Sequence, residues 1–223
     1  MNPFSLILTR DGSHTLYRED IDETYHSRHG AVTESEHIFL NKGLAYWLEI
    51  NDTKQVSVLE IGFGTGLNAA LSMHYALNRG IEITYTTLEP YPLKSDIIDS
   101  LNYFDDDANQ RTQWVHLHNL SWSETHVLNH FTLQKVKQKF QDYDPDRTFD
   151  VIFFDAFAPE KQPDLWTPAM IKKVYDLMNQ GGMMTTYCAK GQFQRNLREV
   201  GFEIQKIPGP PGGKREMIRG QKL

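Results

Sequence analysis

The sequence predicts a mixed α/β protein, a mostly parallel sheet closed by one antiparallel last strand, behind a small N-terminal hairpin and helix. Three observations predict it. Beyond residue 50, short apolar runs alternate with amphipathic ones, as in sheets built from right-handed crossovers. The first of these runs ends in Val58-Leu-Glu-Ile-Gly-Phe-Gly-Thr-Gly66, a buried strand entering a glycine turn. The last strand-like run, Phe202–Ile207, is followed by Pro208-Gly-Pro-Pro-Gly-Gly213 and then Arg215–Gly220. No helix fits in that gap, so the final pair must be an antiparallel hairpin.

In chain order, Leu6–Thr9 and Thr15–Arg18 flank Arg10-Asp11-Gly12-Ser13, and Asp-Gly between such runs signals a hairpin. A polar stretch with His14, His26 and His29 at its start and within it leads to Glu34–Glu49, where Ile38, Leu40, Leu44, Trp47 and Leu48 have helical spacing. Strands are then expected at Val56–Ile61, Glu82–Leu88, Trp114–Leu117, Phe149–Asp155, Met183–Tyr187 and Phe202–Ile207. Helices are expected at Leu67–Asn78, Ser123–Gln141, Pro168–Met178 and Gln192–Val200. Gly80, Gly181-Gly182 and Gly201 stand where those helices should stop. Residues 1–50 read as an N-terminal extension packed on a core of 51–223, a single domain overall.

The 39% hydrophobic and 12% aromatic content of the 223 residues fits a soluble globular protein, and no window resembles a membrane span. Met1–Arg10 lacks the features of a signal peptide. Cys188 is the single cysteine, compatible with a reducing cytoplasm. The net charge of −6 argues against a general nucleic-acid binder but leaves room for a local basic patch at Lys206, Lys214, Arg215, Arg219 and Lys222. That run also reads simply as a solvated tail.

Two cofactors compete for the glycine turn. A dinucleotide fingerprint is G-x-G-x-x-G, whereas Gly62, Gly64 and Gly66 give G-x-G-x-G, with Leu67 at the position of the third dinucleotide glycine. Glu60 would crowd a pyrophosphate but suits a positively charged ligand such as S-adenosylmethionine. Glu89, ending the second strand, can take both ribose hydroxyls through its two oxygens, or stand as a surface carboxylate ahead of Pro90. The missing Gly-Lys-Ser/Thr excludes a Walker-type phosphate loop. With the reversed last strand, the pattern resembles the Rossmann-like fold of S-adenosylmethionine-dependent methyltransferases.

Ligands of open α/β sheets bind beyond the carboxyl ends of the strands. The run Val151-Ile-Phe-Phe-Asp155-Ala-Phe157-Ala-Pro159 therefore brings Asp155 near the methyl group, where a carboxylate could orient an amine and accept its proton while an aromatic ring packs on a base. Asp155 could alternatively cap the next turn. The histidines form no metal-ligand set: His126 and His130 are four apart without the H-E-x-x-H glutamate, and His116 and His118 alternate. No metal is expected, and Cys188 has no obvious partner base.

Three blocks together resemble the MnmC methyltransferase-domain family of bacterial tRNA-modifying enzymes, including its free-standing MnmD-type members. They are Glu60-Ile-Gly-Phe-Gly-Thr-Gly-Leu-Asn68, Asp155-Ala-Phe-Ala-Pro-Glu-Lys-Gln-Pro-Asp-Leu-Trp166 and Gly212-Gly-Lys-Arg-Glu-Met217, with Glu34–Gly43 similar to the family's entry motif. The similarity runs from about Tyr25 to Gly220. It implies methyl transfer from S-adenosylmethionine to the aminomethyl nitrogen of 5-aminomethyl-2-thiouridine at the tRNA wobble position, with Asp155 facing the amine. It puts Glu60, Gly62, Phe63, Gly64, Thr65, Gly66, Asn68, Glu89 and Asp155 around the cofactor. Asn119 falls near the adenine, where many relatives have an acidic residue. On the substrate side it implies Phe157, Pro159, Trp166, Lys214 and Arg215, the last two as phosphate contacts to a tRNA anticodon arm. The chain ends at Leu223, so the flavin-dependent half of the family's bifunctional enzymes is expected to be absent, and a separate FAD-dependent oxidoreductase is a candidate partner. A methyltransferase of a small-molecule amine or hydroxyl is the alternative that the acidic balance favours.

Overall fold

The computed structural model describes residues 4–213 and 215–223; Lys214, one of the expected phosphate contacts, lies outside the described residues. At the N-terminus β1 (Phe4–Leu8) and β2 (His14–Arg18) form the expected hairpin, extended by the short β3 (Glu23–Thr24). Asp11 ties its turn together and reaches the next element: it accepts from Ser13 N (3.0 Å) and Thr33 N (3.0 Å). Burial alone would raise its carboxyl, but the hydrogen bonds from Ser13, Thr33 and Thr9 outweigh burial and hold it well below the usual range.

The N-terminal helix follows as α1 (Ala31–Ser35), a π-helical stretch Glu36–Ala45 and α2 (Tyr46–Asn51). Beyond it run β4 (Gln55–Ile61), α3 (Leu67–Arg79), β5 (Glu82–Leu88), α4 (Ser95–Asp99) and α5 (Ala108–Asn119). Next come β6 (Thr125–Leu128), β7 (Phe131–Val136) and β8 (Phe149–Phe154). The chain closes with α6 (Pro168–Asp176), β9 (Met178–Thr186), α7 (Gly191–Val200), β10 (Glu203–Pro208) and β11 (Glu216–Gln221).

The sheet order is β10-β11-β9-β8-β4-β5-β7-β6. Strands β9, β8, β4, β5 and β7 are parallel, β11 runs antiparallel to β9 as predicted, and β6 is antiparallel to β7 at the other edge. Alternate residues of the parallel strands feed two cores. Val58, Tyr85, Val151, Phe153 and Met183 pack under the N-terminal helix, α3 and α5. Leu59, Ile61, Ile152, Phe154 and Met184 pack against α6 and α7. Each such fully buried side chain contributes roughly 1.5–3 kcal/mol.

Three expectations are corrected between residues 108 and 182. Trp114–Leu117 is not a strand but part of α5. Asp107 caps that helix by accepting from Asn109 N and Gln110 N, and Trp114 and Leu117 are the buried positions of a helix face. The expected helix Ser123–Gln141 is instead the β6–β7 hairpin and a 3₁₀ turn at Phe140–Asp142. Phe131, Leu133 and Lys135 are buried alternately, a period of two, and His130 turns the chain at φ 57°. Gly181 and Gly182 do not end a helix: α6 stops at Asp176, and both lie inside β9, beside an irregularity in its pairing with β8.

Candidate active site

The carboxyl ends of β4, β5 and β8 open into a cleft of about 410 Å³. Its first wall is the glycine turn. Gly62 N and Phe63 N both donate to Leu88 O (3.0 and 3.1 Å), which fastens the turn to the end of β5. A Cβ on Gly62 (φ 102°) would sit 2.5 Å from Asp155 O, so glycine here is what lets the ends of β4 and β8 approach. Gly66 (φ 68°) answers to packing as well. A Cβ there would strike His118 Nε2 at 2.7 Å and the Phe63 ring at 2.8 Å, and Gly66 does not line the cleft. The turn is therefore braced from behind. Trp114 Nε1 donates to Thr65 O (2.9 Å), His118 Nε2 bonds the same oxygen (2.7 Å), and Lys135 Nζ donates to Leu117 O and His118 O (both 2.8 Å). Burial pushes His118 down to about 4 and Lys135 down to about 8.

Gly62, Phe63, Gly64, Thr65, Asn68, Glu89 and Asp155 all line the cleft. Glu89 Oε2 accepts from Gly64 N (3.1 Å) and Oε1 from Tyr91 N (2.9 Å), so each oxygen is oriented and keeps a lone pair. Burial raises its carboxyl, while those two backbone bonds and Arg18 pull the other way. Asp155 is held by its own N–H on Ile61 O (3.1 Å), and its Oδ2 accepts from Asn68 Nδ2 (2.8 Å).

Several expected positions prove to lie elsewhere. Glu60 is wholly buried beneath the turn, facing α3, and does not line the cleft. Asn119 ends α5, exposed and outside the cleft. The parallel strand next to β5 is β7, and the residues that follow it into the cleft are Gln138, Lys139, Phe140 and Gln141. Trp166 cannot stack on a base: its ring is covered by Phe154 (4.8 Å), Phe193 (5.0 Å) and Tyr187 (6.3 Å). Its Nε1 donates to Phe157 O (2.8 Å), so it braces Phe157 from behind. Pro159 is half-buried in the same loop without facing the cleft. Arg215 is exposed in the β10–β11 turn. Because Ile218 pairs with Thr186 at the end of β9, that turn projects from the same end of the sheet as the cleft, without lining it.

The opposite wall was missed in the sequence, Phe157 excepted. Tyr25 packs edge-on against Phe157 (5.1 Å, 80°), and the Arg18 guanidinium lies 5.7 Å over the same ring. Glu34, from α1, accepts from Ser27 N through Oε2 (2.7 Å). Tyr187 donates to Ala156 O (2.7 Å), and burial, then the Asp155 charge, drive its hydroxyl well above the usual range. Glu34 opens the entry motif Glu34–Gly43 and Tyr187 ends an expected strand, but neither carries an expected role, and Arg18 and Tyr25 belong to no quoted motif. The cleft thus combines a backbone turn able to receive an uncharged or cationic ligand with a carboxylate, Asp155, facing an aromatic and acidic wall. Among the described residues, no group of three or more His, Cys, Asp or Glu could hold a metal.

A turn of this form on the first parallel strand, a carboxylate ending the second, and a sheet closed by a reversed last strand define the architecture of an S-adenosylmethionine-dependent methyltransferase. A family model described as S-adenosyl-L-methionine-dependent methyltransferase matches residues 107–223, more than half of the sequence, and the chain belongs to that family. It is 27% identical over 219 residues to the tRNA 5-methylaminomethyl-2-thiouridine biosynthesis bifunctional protein MnmC of Marinomonas sp. (strain MWYL1), a match covering 92% of this chain and 32% of that protein. It is 29% identical over 221 residues to the MnmC of Pseudoalteromonas atlantica, covering 90% of this chain and 31% of that protein. The chain spans about a third of the length of these relatives. In fold it matches MNMC2 from Aquifex aeolicus with a TM-score of 0.82 at 21% identity, over 97% of this chain and 70% of that one. It also matches spermidine synthase from Thermotoga maritima, with a TM-score of 0.59 at 14% identity, over 99% and 69%.

Proposed function

We propose that this enzyme methylates the aminomethyl nitrogen of 5-aminomethyl-2-thiouridine at the tRNA wobble position, in the cytoplasm, with Asp155 as the residue that receives the amine. The observation that carries the reading is the place of Asp155: at the end of β8, held by Asn68, beside the glycine turn and facing Phe157, Tyr25 and Glu34. The names of the MnmC relatives support the substrate.

The residues present fit S-adenosylmethionine. Gly62–Thr65 offer a turn with no basic residue to hold a phosphate, and the oriented Glu89 carboxylate suits a pair of ribose hydroxyls. Gln138–Gln141 would border the adenine. When bound, the cofactor supplies an electrophilic methyl group on a positively charged sulfur. The chain's own contribution is positioning and proton handling. An alkylamine has a Lys-like pKa near ~10 and arrives mostly as an ammonium, which cannot attack. Asp155 would hold that ammonium by a charge-assisted hydrogen bond and accept one of its protons before attack, which frees the nitrogen lone pair. Phe157, braced by Trp166, would hold the flipped base, and alignment of the reacting atoms would supply much of the rate. Lys139 and Lys161 on the cleft wall, with Arg215 farther out on the same end of the sheet, are the candidate phosphate contacts. A separate FAD-dependent oxidoreductase belongs to the same reading as the source of the free aminomethyl group.

The test is transfer of labelled methyl from S-adenosylmethionine to tRNA from cells lacking this methylation, followed by digestion to nucleosides. Label in the wobble uridine is expected. Label only in a small amine or hydroxyl compound would replace the reading with that of a small-molecule methyltransferase.

A further inference from the structure

The sheet's alternation sends Glu60 inward, to the face covered by α3, like Val58 two residues before it. There it pairs in register with Thr87 of β5, whose Oγ1 donates to Glu60 Oε2 (2.6 Å). The other oxygen, Oε1, has no hydrogen-bond partner among the described residues, and neither have the Oδ1 of Asn68, the Oγ of Ser72 or the hydroxyl of Tyr85. All four atoms belong to one buried patch: Asn68 and Tyr85 lie within hydrogen-bonding reach of Glu60, and Ser72 within reach of Tyr85. Asn68 is also the residue that donates to Asp155 Oδ2 (2.8 Å).

The chemistry of these groups favours an arrangement that fills Glu60 Oε1 and Asn68 Oδ1 together. A carboxylate only accepts, so the Asn68 amide must turn its NH₂ toward Asp155, which leaves Oδ1 as an acceptor in search of a donor. An ionised Glu60 would be a fully buried charge with no cation facing it, only the Tyr85 hydroxyl and the Asn68 amide being within reach to donate to Oε1, and Asn68 Oδ1 would still lack a donor. A proton on Glu60 Oε1 satisfies both atoms at once, because the acid can donate to Asn68 Oδ1. We propose that Glu60 is a positioning residue that works as a neutral carboxylic acid: it fixes the Asn68 amide, and through it the Asp155 carboxylate, without touching cofactor or substrate. This rests on the proposed role of Asp155, and it departs from the sequence-based expectation that Glu60 faces the cofactor's positive charge. The titratable groups facing Glu60 are Tyr85 from β5 and Asp155 from the end of β8; Thr87, Asn68 and Ser72 are uncharged. Burial pushes the Glu60 carboxyl up to about 8 against hydrogen bonds from Thr87, Asn68 and Tyr85, and the Asp155 charge adds to the rise.

The experiment is a pH titration of the full chain carrying ¹³C-labelled glutamate, with Glu60→Gln identifying the Glu60 carboxyl resonance. A protonated Glu60 through pH 6–7 with a midpoint near 8, moved to lower pH by Asp155→Asn, is expected. A Glu60 already ionised at pH 6, or a midpoint indifferent to Asp155→Asn, overturns the proposal. Calorimetry with S-adenosylhomocysteine and turnover give a second arm. Glu60→Gln, which keeps a donor and an acceptor, should hold the dissociation constant within about twofold and kcat within about fivefold. Glu60→Ala should lower kcat about 10- to 100-fold at unchanged affinity, the range expected for misplacing a catalytic group. A tenfold loss of affinity in Glu60→Gln, or a kcat as low as that of Glu60→Ala, overturns the proposal. The titration and the binding arm need no RNA, so a failure of the tRNA reading leaves this inference separately testable.

Discussion

The two walls of the cleft are built in different ways. The wall proposed for the cofactor comes from contiguous residues at strand ends: Gly62–Thr65 after β4 and Glu89 after β5, tied by Gly62 N and Phe63 N to Leu88 O and by Gly64 N to Glu89. The wall proposed for the acceptor is collected from distant parts of the chain: Tyr25 and Glu34 from the N-terminal segment, Phe157 after β8 and Tyr187 after β9. The first is a backbone device that any α/β sheet with this turn can reuse. The second is a set of side chains brought together by tertiary packing, and it is where a substrate is told from its competitors.

If the two walls work separately, a substitution at Asp155 should destroy turnover and spare cofactor binding. Asp155→Ala removes the proposed proton acceptor, so kcat should fall roughly 10²–10⁴-fold, the range of general acid–base contributions. Its affinity for S-adenosylhomocysteine in calorimetry should stay within a few-fold. Retained turnover would reduce Asp155 to a residue that closes the end of β8. Glu89→Gln is the reciprocal probe. Losing the charge from a hydrogen-bonded carboxylate costs about 1.5–3 kcal/mol, so the dissociation constant should rise roughly 10- to 100-fold, with kcat at saturating cofactor little changed. Unchanged affinity would remove Glu89 from the ribose.

The same contrast explains what the sequence could reveal. Strands β4, β5, β8, β10 and β11 were legible because apolar runs and turn residues are local signals, as were the glycine turn and Asp155. The β6–β7 hairpin was misread because Val127, Leu128 and Phe131 also fit a helical spacing and Lys135 occupies a core position, its charge directed at two helix-end carbonyls and the Trp122 ring (4.8 Å). That shifted the third strand to Trp114–Leu117 and carried Asn119 with it. Glu60 and Gly66 belong to the right motif, yet face the interior and a packed histidine, because a motif fixes spacing and not which side chain meets the ligand. Trp166 was assigned by type; an exposed tryptophan stacks on bases, but this one is enclosed by three aromatic rings.

Each wall also holds a buried, neutral histidine. His118 stands behind the glycine turn, and His26, near the Tyr103 hydroxyl (3.3 Å) and Thr15, stands behind the N-terminal segment. Burial pushes both down to about 4 from an ordinary 6.5. Between pH 6.5 and 4 the unfolded chain therefore binds protons that these two refuse, so stability should fall as pH falls through that window. Each contributes up to about 1.4 kcal/mol per pH unit. Glu60 acts in the opposite sense. Its carboxyl is raised from 4.5 to about 8, so between those values the folded state holds a proton that the unfolded state has lost, and stability falls as pH rises. Urea midpoints at pH 5 and 6.5 should show His118→Gln flattening the acid-side slope and Glu60→Gln steepening it. Equal slopes in all three proteins would mean that these groups titrate normally.

The smallest expected effect is the one that could undo the separation of the walls. Tyr25 packs edge-on against Phe157, on the acceptor wall, but a Cβ on Gly64 would lie 3.1 Å from its ring, so it also touches the cofactor wall. Tyr25→Leu keeps an apolar side chain against Gly64 but gives up the ring-on-ring contact, worth about 0.5–1.5 kcal/mol beyond its area. Phe157 would lose the surface that orients it, so KM for the RNA should rise roughly threefold to tenfold while the S-adenosylhomocysteine dissociation constant stays put. Tyr25→Phe, which keeps the ring, should behave as the parent does. If Tyr25→Leu instead weakens S-adenosylhomocysteine as much as it raises KM, the N-terminal segment acts as a cover over both ligands. The walls would then be one induced surface, closing only when the Gly64 turn and Phe157 are both engaged.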